Sequence, residues 1–271
     1  MDRIVTTALM LFTSATLQAG ISVDIESRGS GVGTDDGRFS GQMLIDQNRL
    51  RMDLDPARSL IFLAAGPSVI LINHTDHWFT ELDKESADAI ASSIDPVVSQ
   101  LREQLANLPK EQREWLTEML GGTLDLSEKP AGETMRLVET GQLGKAPNGQ
   151  ECRWLRVFKQ DKLVQENCVG PSSGMVGGKE LEAILRTAAI FYKDVVGSLD
   201  SSGILPIPDS PVPEMVPPGA LSLISRFYLD GEILTDTRIM GSRELEIEEQ
   251  AFQAPEDYAR REPGPGLAIP N

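Results

Sequence analysis

The stretch Gly41-Gln-Met-Leu-Ile-Asp-Gln-Asn-Arg-Leu-Arg-Met-Asp-Leu54 decides the fold class. In its second half Leu50, Met52 and Leu54 alternate with Arg49, Arg51 and Asp53. A repeat of two is that of a β-strand with one face buried and the other in water. Gln47-Asn48 turns the chain back onto residues 41–46, so the stretch predicts an antiparallel hairpin.

Working outward, Ile21, Val23 and Ile25 alternate with Ser22, Asp24 and Glu26, a strand followed by a Gly/Ser/Asp loop at 29–37. Residues 60–64 and 68–73 are more uniformly apolar strands separated by Gly66-Pro67, and 78–82 follow a turn at 74–76. The period then changes. Ile90, Ile94, Val97, Leu101, Leu105 and Leu108 recur at steps of three and four, which predicts a helix with Pro96 inside it. Pro109 opens a second helical stretch through Trp115, Leu116, Met119 and Leu120, stopped by Gly121-Gly122. Strands return at 134–139, 151–158 and 163–169. A helix at 179–196 carries Leu181, Ile184, Leu185, Ala188, Phe191 and Val195 on one face. Residues 205–219 hold six prolines and read as an extended loop. Residues 221–229 and 232–240 form a hairpin across Asp230-Gly231, a strong two-residue turn signal, and 243–249 a last strand. The Pro/Gly-rich residues 259–271 are expected to be a disordered tail. Strands, helices, strands, helix, strands is an α+β order with an antiparallel sheet, in one domain spanning 20–258.

The N-terminus reads as an export signal. Arg3 supplies charge, 4–12 are mostly apolar, and Leu17-Gln18-Ala19 fits cleavage after Ala19, which assigns 1–19 as the signal peptide. The apolar run is shorter than the roughly 20 residues of a membrane span, and Gly20 stands where a lipid-anchored protein needs cysteine. The expected location is therefore periplasmic or secreted, without a membrane anchor. With 25 basic against 41 acidic residues and a net charge of −16, the chain is repelled by nucleic acid and by anionic lipid headgroups. No nucleic-acid partner is expected.

Cys152 and Cys168 are the two cysteines. They are symmetric about Gln160, so a hairpin centred there places them directly opposite each other, where an oxidising compartment bonds them. Their spacing excludes a Cys-x-x-Cys redox pair.

Catalytic signals are sparse. His74 and His77 are the only histidines and sit with Asp76 in a turn. They could ligate a metal, but no distant third ligand is evident and the turn gives them no common face. No nucleophile elbow is present. Gly29, Gly31 and Gly33 lead into Asp and Arg rather than a helix, which reads as a loop and not a dinucleotide site. No enzyme and no cofactor is expected.

The motifs Arg51-Met52-Asp53 and Phe79-Thr80-Glu81, the segment from Asn148 to Val169, and the closing Phe252, Pro255 and Tyr258 resemble an uncharacterised family of bacterial exported proteins, domain of unknown function 4412. Such proteins look similar to the lipoprotein carriers LolA and LolB. The resemblance covers most of residues 21–262. It implies a curved antiparallel half-barrel sheet with helices packed on its concave side, and a cavity for acyl chains. The first functional expectation is therefore a periplasmic carrier of a lipid or an acylated, lipoprotein-like ligand. Leu101, Leu105, Trp115, Leu185 and Phe191 are its expected cavity residues. One alternative is an envelope protein-interaction module with a filled core. Another is a metal-dependent enzyme using His74 and His77.

Overall fold

The structure is a computed structural model that describes residues 17–30, 32, 34, 36–109, 112, 135–201 and 216–263. The sequence predicts two blocks of antiparallel strands, and these join into one sheet. The first block is β1 (Leu17–Arg28), β2 (Arg38–Asp46), β3 (Arg49–Asp55), β4 (Arg58–Leu63), β5 (Ser68–Asn73) and β6 (Trp78–Asp83). The second is β7 (Met135–Lys145), β8 (Glu151–Lys159), β9 (Lys162–Pro171), β10 (Ala220–Leu229) and β11 (Glu232–Glu248), and β12 (Ala259–Arg260) closes the chain. Their spatial order is β12-β6-β5-β4-β3-β2-β1-β11-β10-β9-β8-β7. The β1–β11 pairing stitches the blocks together over Leu17↔Glu248 to Arg28↔Asp236, with a bulge at Asp24/Ile25. That bulge lets residues 232–248 run as one strand, where the sequence suggests two. Every pairing is antiparallel except β12 with β6.

Two helices accompany the sheet among the described residues: α1 (Lys84–Ala106) and α2 (Gly178–Ser201), which pack together. The expected α+β half-barrel with helices on its concave side is therefore corrected. One unclosed, twelve-stranded, mostly antiparallel sheet dominates, with β12 and β7 at its two edges. Short hairpin turns join most of the strands, so chain length goes into sheet width rather than helical layers.

Local chemistry sets the boundaries. Asp83 accepts the Ser86 backbone N–H at 2.7 Å and caps α1, and this bond holds its carboxyl below the usual carboxylate range. Gly177, at φ +65, turns the chain into α2. Asp230 and Gly231 both have positive φ, as do Gln160 and Asp161, the backbone of a two-residue hairpin turn.

The helices cover one sheet face. Val23, Ile25, Met43, Ile45, Leu50 and Phe62 pack with Ala87 of α1 and with Leu181, Ile184, Phe191 and Val195 of α2. Leu181 is fully buried, and the Phe191 ring meets Phe62 at 5.7 Å between centroids. The opposite face carries a smaller cluster of Ile61, Ile70, Ile72 and Ile247 under Phe252. The C-terminal segment straps this face. Arg51 donates to the Ala251 carbonyl at 3.0 Å, Arg49 lies over the Phe252 ring at 4.6 Å, and Ala259 N–H donates to the His77 carbonyl at 3.0 Å. The segment expected as a disordered tail thus begins with a paired strand.

Candidate functional site

Cys152 and Cys168 form a disulfide with 5.3 Å between Cα atoms. They are not directly opposite each other. Cys168 faces Trp154, and Cys152 reaches it diagonally. The turn is centred between Gln160 and Asp161 rather than on Gln160, and a bulge at Val157/Phe158 shifts the register once more. The bond fits an oxidising compartment. Among the described residues no helix is long and apolar enough to cross a membrane. Residues 1–16 lie outside the described residues, as do most of the proline loop and all of 264–271. Leu17, Gln18 and Ala19 pair with Glu248, Ile247 and Glu246 as the first residues of β1.

The two histidines gather around one tyrosine. The His74 ring nitrogens lie 2.8 Å from Ser59 Oγ and 3.1 Å from Tyr258 Oη, and the His77 ring packs edge-on to Tyr258 at 4.9 Å. Ser59 Oγ also donates to Asp53 Oδ1 at 3.1 Å. Burial, reinforced by the Arg51 charge, holds His74 below the ordinary histidine value. Ser59 is 2% exposed, so no substrate reaches its hydroxyl. Among the described residues no group of three or more His, Cys, Asp or Glu side chains could hold a metal. This cluster clasps the C-terminal strap.

On one side of β8 to β11, charges pair across the strands. Arg156 faces Glu166, which faces Arg226, which faces Asp236. Glu166 receives Arg156 Nε at 2.7 Å and the Tyr228 hydroxyl at 2.6 Å. Burial pushes its carboxyl up, but these donors and the Arg226 charge outweigh that and hold it low. Arg226 also stacks on Trp154 at 4.8 Å. Each partner is matched, so the ladder is structural.

The opposite side of these strands is different. One cross-strand row runs Phe39, Ser27, Thr237, Ser225, Asn167 and Leu155 from β2 to β8. The next row, nearer the hairpin tips, runs Thr235, Phe227, Gln165, Val157 and Leu137. Asn167 Oδ1 sits 3.0 Å from each of Ser222 Oγ, Ser225 Oγ and Gln165 Nε2, and the two serine oxygens are 2.9 Å apart. Gln165 is 5% exposed, and its Oε1 has no hydrogen-bond partner among the described residues. Beside this polar group Phe227 is half-buried, while Leu137 and Leu229 are 41% and 60% exposed.

The expected cavity residues divide. Phe191 is buried against Phe62, and Leu185 is half-buried against the same core. Leu101 and Leu105 belong to α1, but their side chains, like the whole of Trp115, lie outside the described residues. Gln165, Asn167, Ser222 and Ser225 escaped the sequence reading. In β9 polar and apolar residues follow no clean alternation, because both faces of that strand are buried. Ser222 and Ser225, at either end of Leu223-Ile224, were the available signal.

No protein-family model and no curated protein matches the chain. The resemblance to the exported family and to LolA and LolB therefore rests on the quoted motifs alone. Among solved structures, one described as "Structure of PNGF-II in P21 space group" shares 6% identity at a TM-score of 0.36, covering 91% of this chain and 32% of that one. The chain thus spans about a third of that structure's length. At this level of likeness neither fold nor activity transfers between the two.

Proposed function

We propose that this is an exported, non-enzymatic protein that binds an apolar ligand, a lipid or acyl chain, on the side of its sheet that carries Phe227, Leu137 and Leu229. The observation that carries the reading is the strip around Phe227, Leu137 and Leu229, where apolar side chains remain open to solvent beside a buried polar group. Soluble proteins leave such sites open where something binds. The disulfide supports the exported setting and the periplasmic location. Each buried methylene of an acyl chain contributes about 0.8 kcal/mol, so a chain of ordinary length is held without any charged contact.

Native mass spectrometry of the oxidised protein from its own compartment, with lipid extraction of the same sample, tests this. The expected result is a co-purifying apolar molecule that is lost in Phe227→Asp. Phe191→Glu is unsuitable, because it places a charge against Phe62 in the core. A bare-chain mass with no uptake of added acyl probe refutes the carrier reading and points to an envelope protein as the partner.

A further inference from the structure

We propose that the outer edge of β7 is an interaction surface for a partner polypeptide, which adds an extended, acidic segment to the sheet there. The inference does not depend on the apolar ligand. The two edges of the sheet differ. At one edge the chain caps β6 with its own β12, through Ala259↔Trp78 and Arg260↔Phe79. At the other edge β7 pairs with β8, and among the described residues no strand pairs with its outer side. A strand paired on one side keeps a row of N–H and C=O groups pointing outward. Another polypeptide offers matching groups at the same spacing, which is the basis of strand addition.

Charge selects the partner. Residues 135–159, which span β7 and β8, carry Arg136, Lys145, Arg153, Arg156 and Lys159 against Glu139 and Glu151. That is a local charge of +3 in a chain of −16. Arg136 and Arg156 are engaged by Asp161 and Glu166, whereas Arg153 and Lys145 form no ion pair among the described residues. Leu143 stands directly opposite Arg153 and is 74% exposed, the most of any large apolar side chain among the described residues. Leu137 lies on the same side of β7, because its partner Val157 and the Leu143 partner Arg153 are an even number of residues apart on β8. A segment that alternates apolar and acidic residues therefore meets both leucines and both free cations. A second copy of this chain would set one positive edge against another. The bulge at Glu139/Leu143 divides the edge into two arms, Met135–Glu139 and Leu143–Lys145. Bulges guard edges against indiscriminate pairing, so the side-chain match decides which strand is accepted.

Fluorescence anisotropy of the oxidised protein with a labelled, end-blocked peptide that alternates leucine and glutamate tests the proposal. Two control peptides carry lysine in place of glutamate, or a methyl group on every peptide nitrogen. The expected result is saturable binding of the unmethylated glutamate peptide alone, with slowed deuterium exchange at β7 amides. Exposed ion pairs each contribute little, so Arg153→Glu combined with Lys145→Glu should weaken binding by roughly tenfold. Both side chains are exposed, and Arg153→Gln with Lys145→Gln is the second variant should charge reversal disturb the hairpin. No binding of the glutamate peptide, equal binding of the lysine peptide, or equal binding of the methylated peptide overturns the proposal. So does a dimer in sedimentation that is broken by Leu143→Asp, which would assign the edge to a second copy. Slow exchange at the outward β7 amides of the peptide-free protein would show the edge to be covered already and overturns it too.

Discussion

Removing the Cys152–Cys168 bond has a calculable cost. The bond closes a loop with a sequence separation of 16. In the chain-entropy treatment, releasing a loop of that length gives the unfolded ensemble freedom equivalent to about 3 kcal/mol at room temperature. For a domain of this size each kcal/mol moves the melting midpoint by about 2–4 °C, so the expected fall is about 6–12 °C. The clean comparison is Cys152→Ala with Cys168→Ala against the oxidised wild type, followed by calorimetry and by urea unfolding. Both cysteines are buried, at 3% and 0% exposure, so the double variant also loses a little packing, and the reduced wild type separates the two effects. Reduction alone should reproduce most of the fall. The β8–β9 hairpin holds the bond near the middle of the second strand block, so its amides should lose exchange protection first. A reduced protein melting within about a degree of the oxidised one would show that the loop is already constrained without the bond. That would refute the entropic reasoning.

Three further outcomes are expected. Phe191→Ala should cost about 3–5 kcal/mol in urea unfolding, because the ring is buried against Phe62; a loss below about 1 kcal/mol would mean that the α2 contact is not part of the stable core. Asp83→Ala should cost about 1 kcal/mol by leaving the Ser86 N–H without its cap, and Asp83→Asn or Asp83→Ser should restore most of it. His74 is held below its ordinary value of 6.5 by burial first and Arg51 second. The unfolded chain therefore takes up the proton more readily than the folded one. The stability of the neutral ring is fully present above pH 6.5 and is lost as pH falls below that, through the folded value. Deuterium exchange at the Ala259 and Arg261 amides, which bond the His77 and Phe79 carbonyls, should accelerate on acidification after correction for intrinsic rates. The effect should vanish in His74→Gln, and an unchanged pH dependence in that variant would sink the strap reading.

Much of the local structure was legible from residues alone. Period-2 alternation at Leu50, Met52 and Leu54 marks β3 because side chains on a strand alternate between faces whatever the surroundings. Asp230-Gly231 marks its hairpin because few residue pairs accept two positive φ values. The spacing from Leu181 to Val195 marks the buried side of α2 by the helical repeat, and the two cysteines announced their bond. Tertiary structure decided the rest. That β1 pairs with β11 over a separation of more than two hundred residues follows from which long strands meet, and no local signal carries it. The same pairing merges the strand blocks into one open sheet in place of the expected half-barrel. A bulge and a half-step in one turn moved the cysteine partners from opposite to diagonal. Gln165 has the composition of a surface residue. Only the packed sheet buries it between Val157 and Phe227 and sets its amide against Asn167. Propensity and periodicity act within a few residues. Register, burial and hydrogen-bond satisfaction are properties of the whole packed sheet.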